Sequence, residues 1–94
     1  MIPLSVYSPR GDEFQFTPEL YPVTREPMII AYQRAYNRPK FYFYRRLRLC
    51  ELSAAIKLAE KENKFSFCKA RAVDRLEGEE FQKFAAWLKE LKLS

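Results

Sequence analysis

Apolar and polar positions divide the chain into β-prone stretches followed by two helical ones. Leu4-Ser5-Val6-Tyr7 and Glu13-Phe14-Gln15-Phe16 alternate with period two, and Ser8-Pro9-Arg10-Gly11-Asp12 between them carries turn chemistry. A small hairpin is expected there. Five of the six prolines (Pro3, Pro9, Pro18, Pro22, Pro27) fall in the first 27 residues, which argues against a long helix or a central strand. Residues 18–27 are expected to form an irregular connector, and 1–27 either a packed hairpin or an arm. A second hairpin follows: 28–35 is apolar and β-prone, Tyr36-Asn37-Arg38-Pro39 is a turn, and 40–49 is a long strand.

Alternation in that long strand is the most informative pattern in the chain. Odd positions read Phe41, Phe43, Arg45, Leu47, Leu49; even positions read Lys40, Tyr42, Tyr44, Arg46, Arg48. Because side chains alternate across a strand, one face is expected to be apolar and the other tyrosine and cation. Arg45 is the misfit on the apolar face and points to a bulge or an edge there.

A helix is expected over 52–62, where Leu52, Ala55, Ile56 and Ala59 make a buried stripe and Asn63 a left-handed stop. Residues 64–73 return as a strand with Phe65, Phe67, Lys69, Arg71 and Val73 on one face and Ser66, Cys68, Ala70 and Ala72 on the other. Either face could be the inner one. Gly78 punctuates the chain before a last helix over 79–92, whose stripe is Phe81, Phe84, Ala85, Leu88 and Leu91, with Trp87 at its margin. The fold class is α+β: a small antiparallel sheet of two hairpins plus one strand, two helices on one face, order β-β-β-β-α-β-α. At 94 residues it is a single domain, 1–94, with 28–73 as its hairpin–helix–strand core.

Composition then narrows the chemistry. There is no histidine, the usual general base and zinc ligand, and two glycines cannot make a phosphate-cradling loop. No metal or cofactor is expected, and the chain reads as a non-enzyme. Asp74, Glu77, Glu79 and Glu80 fit the positive start of a helix without a metal. Cys50 and Cys68 are expected as buried, reduced thiols, and the lack of a signal or spanning segment points to the cytoplasm with no membrane partner. Arg10-Gly11-Asp12 spells a tripeptide that adhesion receptors read, but in this context it is ordinary turn chemistry.

The net charge of +5 sits almost wholly on residues 25–50, where seven cations, six of them arginine, face one carboxylate, Glu26. Arginine forks onto phosphate and stacks on flat rings. Arg34, Arg38, Lys40, Arg46 and Arg48 are therefore candidate phosphate contacts and Tyr42 and Tyr44 candidate stacking rings, with Lys69 and Arg71 extending the patch. Single-stranded nucleic acid is the leading partner. The alternative is an acidic surface on a nucleic-acid-processing protein, since tyrosine and arginine are favoured interface anchors. An open sheet edge, or Trp87, offers a homodimer contact.

The run Leu47-Arg48-Leu49-Cys50-Glu51-Leu52-Ser53-Ala54-Ala55-Ile56-Lys57-Leu58-Ala59-Glu60, followed by the strand from Phe65, resembles a unit common in small phage and mobile-element proteins. Those proteins block host polymerases, nucleases or CRISPR complexes. The likeness spans residues 28–73 and rests on pattern. It implies a tightly folded, non-catalytic inhibitor of a nucleic-acid-handling machine, and it transfers no functional residue because those inhibitors are not one family. In length and charge alone the chain also resembles toxin ribonucleases that work without an obligatory histidine. Their helices usually precede the sheet, whereas both helices here follow the hairpins.

Overall fold

The computed structural model describes residues 3–67 and 75–91. Four strands, β1 (Leu4–Tyr7), β2 (Glu13–Leu20), β3 (Pro27–Arg34) and β4 (Tyr42–Arg48), form an antiparallel meander in the order β1-β2-β3-β4. Helix α1 (Leu49–Ala59) follows, then β5 (Lys64–Ser66) and β6 (Arg75–Glu77), which pair with each other as a second, two-stranded sheet, and helix α2 (Gly78–Glu90). The class is α+β as the periodicity predicts. The strand after α1 stands apart from the main sheet, paired to the short β6.

Residues 3–20 are packed into the domain rather than held as an arm. β2 runs unbroken through Pro18 to Leu20, where an irregular connector is expected. Pairing of β1 with β2 ends at Leu4 opposite Phe16, so Pro18 lies beyond it and faces a described strand on one side only, opposite Ile29 of β3. A missing N–H is tolerated at such a local edge. The β2–β3 connection is a tight turn: Arg25 N–H donates to the Tyr21 carbonyl and Tyr21 N–H to that of Glu26, with Arg25 at φ 60°.

One sheet face builds the core. Val6, Phe14, Phe16, Ile29, Ala31 and Leu47 point to one side and meet Leu52 and Ile56 of α1, Phe65, Phe67 and Leu76, and Phe81, Phe84, Ala85 and Leu88 of α2. Phenylalanines dominate: the Phe16 and Phe84 ring centroids are 4.5 Å apart, and Phe67 lies within 5.5 Å of both Phe14 and Phe16. Phe65 and Phe67 are both buried, which makes theirs the inner face. Trp87 is also buried, stacked with Phe84, so it presents no dimer surface. Asn63 (φ 55°) terminates the α1 region as expected. Cys50, expected inside, is an exposed free thiol in the first turn of α1; Cys68 lies outside the described residues. Among the described residues no helix is long and apolar enough to cross a membrane.

Both sheet edges are blunted against strand addition. On β1, the Tyr7 N–H donates to Glu80 Oε2 of α2 at 3.2 Å. On β4 the edge is bulged and cationic.

Candidate nucleic-acid interface

The bulge in β4 decides what the sheet presents to solvent. Tyr32 pairs with Phe43 and Ala31 with Arg45, so Tyr44 is the extra residue between them. A single inserted residue reverses the parity of everything on one side of it. Before the bulge the odd residue Phe43 faces away from the core. After it the even residues Arg46 and Arg48 do. The two strand faces read from uninterrupted alternation are thus spliced, with Phe43 joining the arginines.

Tyr42 and Tyr44 go the other way. Tyr42 lies opposite Gln33 on the core side of the sheet, and its hydroxyl donates to Gln33 Oε1 at 2.9 Å. Tyr44 is half-buried with its ring edge-on to Phe14 and Phe67 at about 6 Å. The expectation that these two rings share a face with Arg46 and Arg48 is therefore corrected. Arg45, the misfit, sits core-side at the strand edge, where its Nη1 donates to the Phe67 carbonyl at 2.9 Å.

The outer face reads as four rows across the strands. Tyr7, Glu13 and Arg34 form the first; Ser5, Gln15, Tyr32 and Phe43 the second; Thr17, Ile30 and Arg46 the third; Glu19, Met28 and Arg48 the fourth. No described element lies over them. Ile30, though only 8% exposed, is outside the core cluster and is covered by its neighbours on this face. Tyr32 and Phe43 meet edge-to-face at 6.2 Å, and Phe43 is 55% exposed. Guanidinium groups lie over rings at three places: Arg34 over Phe41 at 4.8 Å, and Arg46 over Phe43 at 5.7 Å and over Tyr21 at 5.9 Å. Such stacking contributes about 0.5–1 kcal/mol at exposed positions and fixes the plane of the cation.

Each of these arginines is also ion-paired. Arg34 pairs with Glu13, Arg46 with Glu19 at 3.1 Å and Arg48 with Glu26 at 3.6 Å. Folding β2 against β3 and setting Glu19 beside β4 therefore cancels part of the positive excess that residues 25–50 carry as a linear segment. Arg38 and Lys40, in the β3–β4 loop, are exposed and make no ion pair with a described residue. Lys69 and Arg71 lie outside the described residues.

No protein-family model, curated protein or solved structure matches this chain. What the site can do rests on its own geometry: a flat array of rings and guanidinium planes that can stack planar groups and fork onto anions. Among the described residues no three His, Cys, Asp or Glu side chains gather to hold a metal. Of the acidic group near α2, Glu77 pairs with Arg75 and Glu80 with Lys83; Asp74 lies outside the described residues. The carboxylate of Arg10-Gly11-Asp12 is turned inward, with Asp12 only 1% exposed, which supports its reading as turn chemistry. Sequence reasoning missed Tyr32, Phe41 and Phe43 as site rings. Arg45 was the available signal, since a bulge beside it moves Phe43 to the arginine face.

Proposed function

We propose that this chain is a non-catalytic, cytoplasmic binding protein that holds single-stranded nucleic acid on the open face of its main sheet. The observation that carries the reading is the uncovered row of Tyr32 and Phe43 flanked by ring-stacked guanidinium groups of Arg34 and Arg46. Bases stack on the exposed face of Phe43 and on Tyr32, while Arg34, Arg38, Lys40, Arg46 and Arg48 meet phosphates. Glutamate partners do not forbid this, because exposed ion pairs are worth only about 0–1 kcal/mol and exchange readily for a phosphate. They do lower the net field, so binding depends more on stacking than on charge.

Phe43→Ala is the test. Its exposed ring leaves the core intact, and loss of one stacked base costs about 1–3 kcal/mol, a drop of roughly 5- to 150-fold in oligonucleotide affinity with the thermal melt unchanged. A wild-type chain that binds no oligonucleotide at low salt overturns the reading. A protein partner is the second reading, favoured by the three Arg–Glu pairs: a mixed-charge, ring-rich face fits an inhibitor or adaptor docking on a nucleic-acid-processing protein. Under that reading Phe43→Ala releases a co-purifying protein that persists after nuclease treatment.

A further inference from the structure

The first row of the outer face opens at its end into a groove of about 680 Å³, which shares Arg34 and Arg38 with the platform but adds two rings, Tyr7 and Tyr36, that the platform does not use. Tyr7, Gly11, Glu13, Arg34, Tyr36 and Arg38 are among its walls. Tyr7 and Tyr36 are 47% and 70% exposed, and their rings flank the space without touching each other. Arg38 beside them has no described carboxylate partner.

The mounting of Tyr36 is what singles this groove out. Its backbone N–H donates to Asp12 Oδ1 at 2.9 Å, and Asp12, 1% exposed, also accepts from Arg10 Nη2 at 2.7 Å. The Asp12 N–H is in turn held by Ser8 Oγ at 3.1 Å. Beneath the ring lies Gly11, at φ +96°, where an added Cβ would come within 2.9 Å of Tyr36 Cδ2. The loop then turns through Asn37 at φ 60° and closes with Arg38 N–H on the Ala35 carbonyl at 3.0 Å. The turn chemistry of residues 8–12 thus also holds the Tyr36 backbone and leaves its ring room against Gly11. An exposed ring on a hydrogen-bonded backbone, beside a guanidinium with no described carboxylate partner, suits a flat, anionic ligand.

We infer that this groove is a single-nucleotide anchor, in which a base lies against the Tyr36 ring, faced by Tyr7, and its phosphate meets Arg38. The inference rests on the nucleic-acid reading of the sheet face and extends it. Because the groove continues the row of Glu13 and Arg34, a strand leaving the platform enters it directly, which fixes where on the protein one end of the bound segment lies.

The test titrates the full chain with thymidine monophosphate, with inorganic phosphate, and with a labelled oligothymidylate, comparing Tyr36→Ala, Tyr36→Trp and Arg38→Gln, each checked by thermal melt. The anchor predicts saturable thymidine monophosphate binding that Tyr36→Ala and Arg38→Gln abolish and Tyr36→Trp keeps. The two disabling variants also weaken the oligonucleotide by about tenfold or more. If the oligonucleotide binds and Tyr36→Ala does not weaken it, the anchor is wrong and the platform, which shares Arg38 but not Tyr36, stands. If the oligonucleotide does not bind while the mononucleotide does, in a Tyr36-dependent way, the platform is wrong and the groove holds free nucleotide. Inorganic phosphate binding as tightly as the mononucleotide overturns the role given to the ring, and silence from all three probes overturns both readings.

Discussion

Replacing Glu19 by glutamine measures how far the outer-face arginines are available to a phosphate. Glu19 Oε2 stands 3.1 Å from Arg46 Nε, with the two side chains 24% and 43% exposed. A pair this open contributes about 0–1 kcal/mol to stability, so the amide leaves the fold standing. Its effect falls on the ligand. A phosphate on Arg46 lies about 6 Å from the Glu19 carboxylate, a repulsion of about 0.7 kcal/mol at the permittivity of water and about 2.8 kcal/mol at an effective value of 20. For a half-exposed site the intermediate figure, about 1–1.5 kcal/mol, predicts oligonucleotide binding roughly 5- to 12-fold tighter in Glu19→Gln.

The salt dependence supplies a second, independent readout of the same variant. For single strands log K falls with log salt by about 0.7 per phosphate neutralised. Arg38 and Lys40 alone give a slope near −1.4, and release of Arg34, Arg46 and Arg48 from their glutamates steepens it to about −3.5. Where the wild type falls between these limits counts the ion pairs that yield. If Glu19 still competes for Arg46, Glu19→Gln steepens the slope by up to about 0.7. Fluorescence anisotropy with a short labelled oligothymidylate, between roughly 50 and 300 mM salt, reads both quantities. Unchanged affinity together with an unchanged slope refutes the idea that Glu19 and the ligand compete for Arg46.

Two stability predictions probe the scaffold. Asp12→Ala removes a charge-assisted bond to the Tyr36 N–H and the Arg10 contact, and is expected to cost about 2–3 kcal/mol, with Asp12→Asn near 1 because its carbonyl still accepts; urea melts that match the wild type contradict this. Phe84→Ala removes a ring with no exposed surface that packs on Phe16, Phe65, Phe67 and Trp87, costing about 3–5 kcal/mol and lowering the melting temperature by roughly 15 °C or more. A fall of only a few degrees means the helix–sheet interface is not the centre of the core.

Where local signals set the structure, the sequence was a good guide. The stripe Phe81, Phe84, Ala85, Leu88 forms the buried face of α2, and Asn37 and Asn63 take the left-handed conformations that end their elements. Pro18 misled because proline reports only on its own missing donor, and β1 is too short to ask for it. Alternation in β4 misled for a sharper reason. Period-two reading holds only while pairing is continuous, and a bulge costs one residue while moving every side chain beyond it to the opposite face. Arg45 gave its approximate position, but whether Tyr44 or a neighbour was the inserted residue depends on its partners in β3, Ala31 and Tyr32.

Charge shows the same limit from the other side. Residues 25–50 carry a net charge of +6 in the linear chain, against +5 for the whole, yet in the sheet Arg34 and Arg46 stand beside Glu13 and Glu19 of β2. A basic segment is therefore not yet a basic surface, and a patch inferred from composition overstates the field a ligand meets. What survives folding is shape: guanidinium planes held between a ring and a carboxylate, on a sheet face with no described helix or strand above it. Rigid, partly neutralised cations of this kind discriminate by geometry more than by charge. The expected ligand is accordingly one whose flat groups and anions alternate at fixed spacing. A polyanion without flat aromatic rings, such as heparin, should bind more weakly than an oligonucleotide of equal charge, and should lose nothing on Phe43→Ala.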